Sequence, residues 1–388
     1  MQADAKQGYG CPYLIKDRAP GGAWHASLPT LLGALLALLL ASGAVLAVYY
    51  NPRDAYGAVQ MINREVNGGW LVLGYHNTGA SLAFLALYAQ LFRLLLTRSY
   101  RAPARFAWML WVKLLAVLLL TGWLGFVLQG GAGGALSLTH ASDAALTLPG
   151  FPGAVALWIF GGPAGPGTLA RLLVFHVVLA ACAVGVICWA RCAARRAQPA
   201  PEGRAVAFWP VYASQYFAAL AALALLFTLL LAFAPHWGQS AQAMLPGDAL
   251  PVVISYPWYL RPVAHLATLI PGDGGAILVV ILAAATLYAL PWLDRSNGAP
   301  PGRLYRWLTL LLGLDVLPWG APARQCRRSS SASGFSSISW CSPPSSPPRR
   351  PNNAGFADIG PGARAAGGWG GAGANPVFFL LRRLWAYR

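Results

Sequence analysis

Seven long apolar runs constrain this chain more than any other feature. They cover residues 28–50, 70–95, 106–128, 169–190, 206–235, 276–293 and 304–317. A helix needs roughly 20 apolar residues to cross a ~30 Å hydrocarbon core, and most of the runs approach or exceed that length. The last is the shortest. Inside lipid a helix satisfies its own backbone, so the runs predict an all-α membrane protein, a transmembrane helical bundle of seven spans. Only 10% of the 388 residues are charged, whereas a soluble domain carries about a quarter. A water-soluble globule is excluded.

The net charge of +17 invites a nucleic-acid reading, but the arrangement of the charge argues against it. Arginines gather in alternate loops: Arg93, Arg98, Arg101 and Arg105 after the second run, Arg191, Arg195, Arg196 and Arg204 after the fourth, Arg295, Arg303 and Arg306 after the sixth. Lys6, Lys16 and Arg18 precede the first run, and the intervening loops are sparse, with Arg53, Arg64 and Arg261. Basic loops stay cytoplasmic. We therefore expect a multi-pass protein of a bacterial-type inner membrane, N-terminus in the cytoplasm, with the bilayer and no nucleic acid as partner. The first 27 residues lack the short apolar core and small-residue cleavage site of a secretory signal. The six cysteines form no metal or disulfide pattern, and Cys182, Cys188 and Cys192 read as small buried thiols in or at the end of one apolar helix.

Four segments follow: a cytoplasmic N-terminal stretch (1–27), a four-span unit (28–198), a second unit (199–319) containing a long outer segment (236–271), and a tail (320–388). The tail opens with Ser-Ser-Ser, Pro-Pro and paired Arg and continues Gly-rich, a disorder-type composition. Two readings of it stand: a flexible tail, or out-of-frame sequence replacing an eighth helix. An apolar span in another reading frame of the gene separates them.

Ionisable residues inside spans are costly and commonly functional. His76 lies near the outer end of the second span and His176 near the outer end of the fourth, at similar depth. Two neutral imidazoles facing each other across a bundle can supply both axial ligands of a haem iron. Structural hydrogen bonding or proton relay would explain either histidine alone.

Several motifs then occur in order. Gly69-Trp70, His76-Asn-Thr-Gly-Ala-Ser81, Arg93 and Ser99-Tyr100 mark the second helix, and Gly125-Phe-Val-Leu128 the end of the third. Trp158-Ile-Phe-Gly-Gly162, Thr168-Leu-Ala-Arg171 and His176 lead into the fourth, and Pro257-Trp-Tyr259, Pro262 and Ile270-Pro271 lie in the later half. Together, from about Trp24 to Trp319, they resemble the cytochrome b subunit of the quinol-oxidising cytochrome bc complexes. That family holds two stacked haems through two pairs of histidines fourteen residues apart, a spacing that rises roughly 21 Å and returns within ~40° of the same helix face. Fourteen residues after His76 stands Gln90, and after His176 stands Ala190.

The resemblance therefore implies one b-type haem, at the outer site, held by His76 and His176, and no second haem. In the family, the first and third helices each carry a pair of glycines fourteen residues apart, which leave room for porphyrin because they carry no Cβ. The first helix has Gly33 and Gly43, and the third has Gly125, but its inner position is Trp111. The inner quinone pocket's Lys-Asp pair is replaced by Gln215-Tyr216, after Phe208-Trp-Pro-Val-Tyr212. At the outer quinol site Trp258 and Tyr259 match, yet the proton-accepting glutamate is Pro257 and the arginine three residues before the first haem histidine is Leu73. His140, His236 and His265 are other candidate bases in outer segments.

The function expected from the resemblance is electron transfer between membrane quinol and a Rieske-type or c-type cytochrome partner, as a subunit of a quinol-oxidising complex rather than a complete enzyme. A homodimer is the assembly it implies. The competing reading is a degenerate, haem-free anchor for partner redox subunits. A transporter with relay histidines ranks last, because no repeated Gly/Pro-broken helices occur.

Overall fold

The computed structural model describes residues 28–146, 150–161, 166–197, 213–233, 254, 256–267, 269, 273–296 and 302–316. Trp24, residues 208–212, His236, residues 270–271 and the tail lie outside the described residues, as does the side chain of Gln215. Among the described residues all regular structure is helical. Each of the seven apolar runs contains a helix: α1 (Leu28–Tyr49), α3 (Gly69–Leu96), α4 (Arg105–Leu128), α7 (Pro166–Arg196), α8 (Ala213–Phe233), α10 (Asp273–Leu293) and α11 (Arg303–Val316). Four shorter helices join them: α2 (Ala55–Arg64), α5 (Ala132–Leu146), α6 (Phe151–Phe160) and α9 (Arg261–Ala267).

Five helices, α1, α3, α4, α7 and α8, are long and apolar enough to cross a membrane. In α10 the apolar stretch Ile277–Leu293 is shorter. The 14 residues of α11 rise only ~21 Å, less than the hydrocarbon core.

The core is a four-helix bundle in which α1 packs on α3, α4 packs on α7, and α1 meets α7. Lipid supplies no hydrophobic drive between helices, so close packing at small residues does the work. Gly43 and Gly79 face the α1–α3 seam and Gly125 the α4–α7 seam, while Ala183 of α7 is fully buried. Outside the bundle, α8 packs on α3 and α1, α10 on α4, and α11 on α3. Cys182 and Cys188 are exposed on α7 rather than buried, and Cys192 is disulfide-bonded, a correction to the sequence expectation.

The connections are fixed by local chemistry. Asp54 caps α2 by accepting from the Gly57 N–H at 2.9 Å, which satisfies one orphan donor. Gly68 (φ +72°) turns the chain into α3, and a Cβ on Gly69 would collide with the Ile62 carbonyl. At the end of α6, Gly161 (φ +73°) breaks the helix, and α7 closes it. Arg171 donates to the carbonyls of Ile159 and Phe160 at 2.9 and 2.7 Å, and Thr168 Oγ1 donates to Phe160 at 2.7 Å. Those carbonyls would otherwise be orphans at a helix terminus. This is the physical content of the Trp158…Arg171 motif.

At the opposite end of the bundle, the α3–α4 connection is latched to the end of α10. Asp294 accepts from Tyr100 (2.7 Å) and from Arg101 Nε and Nη2 (2.8 and 2.6 Å). Burial works against ionisation of Asp294, but hydrogen bonds from Ser296, Tyr100 and Arg101 outweigh it and hold the carboxyl well below the usual carboxylate range.

Candidate functional site

His76 projects from α3 and His176 from α7, and the two rings meet in the bundle with centroids 6.2 Å apart and planes at 61°. Metal–imidazole nitrogen bonds are on the order of 2 Å, and a ring centre lies about 1 Å behind its nitrogen, so two imidazoles sharing one metal ion have centres roughly 6 Å apart. The observed separation matches. Both rings keep part of their surface uncovered by protein.

Each ring is oriented through Nδ1. His176 Nδ1 lies 3.0 Å from the Thr121 carbonyl, and His76 Nδ1 lies 3.0 Å from Ser42 Oγ. A carbonyl only accepts, so His176 carries its proton on Nδ1 and its lone pair on Nε2. Fixing the tautomer through the second nitrogen is how ligand histidines are held.

The glycines behave as a cradle. A Cβ on Gly43 would sit 3.0 Å from His76 Cε1, and one on Gly125 would sit 3.1 Å from His176 Cε1. Two imidazoles with free Nε2 atoms and flanking backbone without Cβ fit a bis-histidine haem. Among the described residues no three His, Cys, Asp or Glu gather as a protein-only metal site.

The other end of the same helices contrasts with this. Gln90 is 2% exposed, Trp111 1% and Ala190 0%. The indole of Trp111 lies in the bundle core with Leu32, Leu87, Leu114 and Ile187. Gln90 Oε1 accepts from Arg93 Nε at 3.2 Å. Gly33 is ten residues before Gly43, not fourteen, so the pairing of those glycines needs correction. The position fourteen before Gly43 is Pro29, whose carbonyl accepts from Arg191 Nη1 at 3.3 Å, while Nη2 donates to Thr30 Oγ1 at 3.0 Å. Arg191 Nη1 also rests against Gly33. Side chains therefore fill this end.

Trp258 and Tyr259, just before α9, are buried at 6% exposure each. The Tyr259 ring stacks on Phe84 (centroids 4.2 Å, 6° between planes), and its carbonyl accepts from Tyr88 at 3.0 Å. A Cβ on Gly122 would come within 3.0 Å of Tyr259 Cε2. One face of Tyr259 is thus covered by protein. His140 on α5 and His265 on α9 are exposed, so neither is gathered into the His76–His176 site. Sequence reasoning missed Ser42, Thr121 and Gly122. A small residue beside Gly43 was the only available signal for the first.

Residues 23–190 match the family model described as cytochrome b/b6/petB. Cytochrome b of Rhodobacter capsulatus is 29% identical over 330 residues, covering 74% of this chain and 75% of that protein. Cytochrome b of Oryza sativa subsp. japonica is 28% identical over 306 residues, covering 75% and 77%. Among solved structures, a chain of a "Hyperthermophilic respiratory Complex III" shares the fold at TM-score 0.63 and 20% identity, covering 77% of this chain and 90% of that one.

Proposed function

The chain is a divergent relative of cytochrome b, and from that premise we propose that it is a one-haem membrane electron-transfer subunit. It would pass electrons from membrane quinol to a Rieske-type or c-type cytochrome partner at the outer face of a bacterial-type inner membrane. The N-terminus would lie in the cytoplasm, and residues 28–198 would form the haem module. The observation that carries the reading is the 6.2 Å histidine pair with both Nδ1 atoms engaged.

When bound, the haem supplies one-electron redox chemistry. The protein's own groups do the rest. His76 and His176 present Nε2 from facing helices, the Thr121 carbonyl and Ser42 hold those rings, and Gly43 and Gly125 keep side chains away from them. Trp111, Gln90, Ala190 and Arg191 close the opposite end, which supports a single haem and argues against electron flow to a second quinone site there. Trp258 and Tyr259 would form a wall of the quinol site rather than a stacking platform, since Phe84 already lies on Tyr259. Pro257 cannot accept the quinol's proton; His140 and His265, both exposed, are the described candidates for that role.

The test is anaerobic addition of a short-chain quinol to the purified, folded protein while a b-type optical band is followed. Reduction in wild type, with no band in His76→Ala or His176→Ala, is the expected result. A properly assembled complex without haem would overturn this reading and favour a haem-free anchor for redox subunits.

A further inference from the structure

We propose that Ser42 is a positioning residue of the histidine pair, fixing which nitrogen of His76 is free to bind and tuning the electron density there. The inference rests on the one-haem reading above. It begins with a hydroxyl that has three neighbours and one hydrogen. Ser42 Oγ lies 2.8 Å from the Leu38 carbonyl, 3.2 Å from the Leu39 carbonyl and 3.0 Å from His76 Nδ1.

The two carbonyls can only accept, so the hydroxyl hydrogen goes to its own helix, at the shorter distance to Leu38. Toward His76 the oxygen then has only lone pairs to offer. Nδ1 must be the protonated nitrogen, and Nε2 keeps the lone pair that a metal requires. His176 reaches the same state through the Thr121 carbonyl. The two ligands are therefore matched in tautomer and unmatched in acceptor: one leans on a peptide group, the other on a side chain.

That difference makes Ser42 adjustable. A hydroxyl that is itself donating becomes a better acceptor, because chained hydrogen bonds polarise one another. A stronger acceptor at Nδ1 raises the basicity of the ligating nitrogen, which stabilises the ferric state relative to the ferrous. Ser42 is 7% exposed, so water is poorly placed to replace it. Its neighbour Gly43 lies against His76 Cε1, so consecutive residues of α1 set the ring's position and its hydrogen bond.

The experiment is a potentiometric titration of the bound haem in wild type, Ser42→Ala and Ser42→Thr, each as the full chain in lipid nanodiscs. At a fixed poise, Ser42→Ala is expected to raise the ferrous-to-ferric ratio roughly two- to tenfold, the scale of one neutral hydrogen bond. Ser42→Thr retains the oxygen and should titrate as wild type. An unchanged ratio in Ser42→Ala, or an equal shift in Ser42→Thr, overturns the proposal. Should Ser42→Ala release haem, the threonine variant decides: retention at the wild-type midpoint supports the inference, and loss overturns it. Absence of haem from wild type instead overturns the functional reading on which the inference depends.

Discussion

At the scale of single residues, the site depends on what glycine lacks. Gly125 sits in the last part of α4, where any residue but proline would suit the helix better. Alanine in a helix interior is favoured over glycine by about 0.5–1 kcal/mol. Helix propensity and room for the His176 ring therefore pull in opposite directions at this position. A Cβ there would press on His176 Cε1 at 3.1 Å, and the ring cannot retreat freely because its Nδ1 is tied to the Thr121 carbonyl. We predict that Gly125→Val, whose branched side chain is larger still, leaves helicity by circular dichroism unchanged and lowers haem content several-fold by pyridine haemochrome assay. Full haem occupancy would show that Gly125 is not part of the cradle. The histidines were legible in the sequence because ionisable residues are costly inside a span, and the glycines were singled out through the resemblance to cytochrome b. Ser42 was not: a serine bonding back to its own helix is ordinary, and only the fold brings His76 to it.

At the scale of elements, the apolar runs foretold the long helices because length in a bilayer is a coarse and strong signal. The short helices were hidden. Residues 132–146 and 151–160 lie outside the seven apolar runs, yet they form α5 and α6, with Gly161 ending the second. The Trp158…Arg171 pattern was visible as a motif, but its purpose depends on a fold-back that places the α7 guanidinium on the α6 terminus. That cap also sets where α7 begins, and His176 lies five residues beyond Arg171. Replacing Arg171 with Met keeps the aliphatic stem and strands the Ile159 carbonyl, leaving Phe160 to Thr168 alone. We predict a destabilisation of about 1–3 kcal/mol, read as a lower thermal midpoint in detergent. An unchanged midpoint would mean the cap contributes nothing to the fold. The shortest apolar run, 304–317, gave the shortest helix of these seven, the 14 residues of α11.

At the scale of the molecule, one bundle has two unlike ends. Around His76 and His176 the protein leaves ring surface uncovered, and backbone without Cβ stands beside each imidazole. Fourteen residues further along the same two helices, a glutamine and an alanine are fully packed, an indole fills the core, and Arg191 braces the start of α1 against the end of α7. Cavities of side-chain size are rare in packed protein, so a porphyrin could enter that end only by displacing these groups. That positions 90, 111 and 190 belong together followed from the resemblance to cytochrome b, whose histidines and glycines stand fourteen residues apart. The bracing by Arg191 was not, because it needs the geometry of helices that are distant in sequence. The most direct measurement is the haem-to-protein ratio of the purified chain, from pyridine haemochrome absorbance against quantitative amino-acid analysis. One haem per chain is expected in wild type and none in the His76→Ala, His176→Ala double variant; two haems per chain, or one retained in the double variant, would contradict a single haem held by these two histidines.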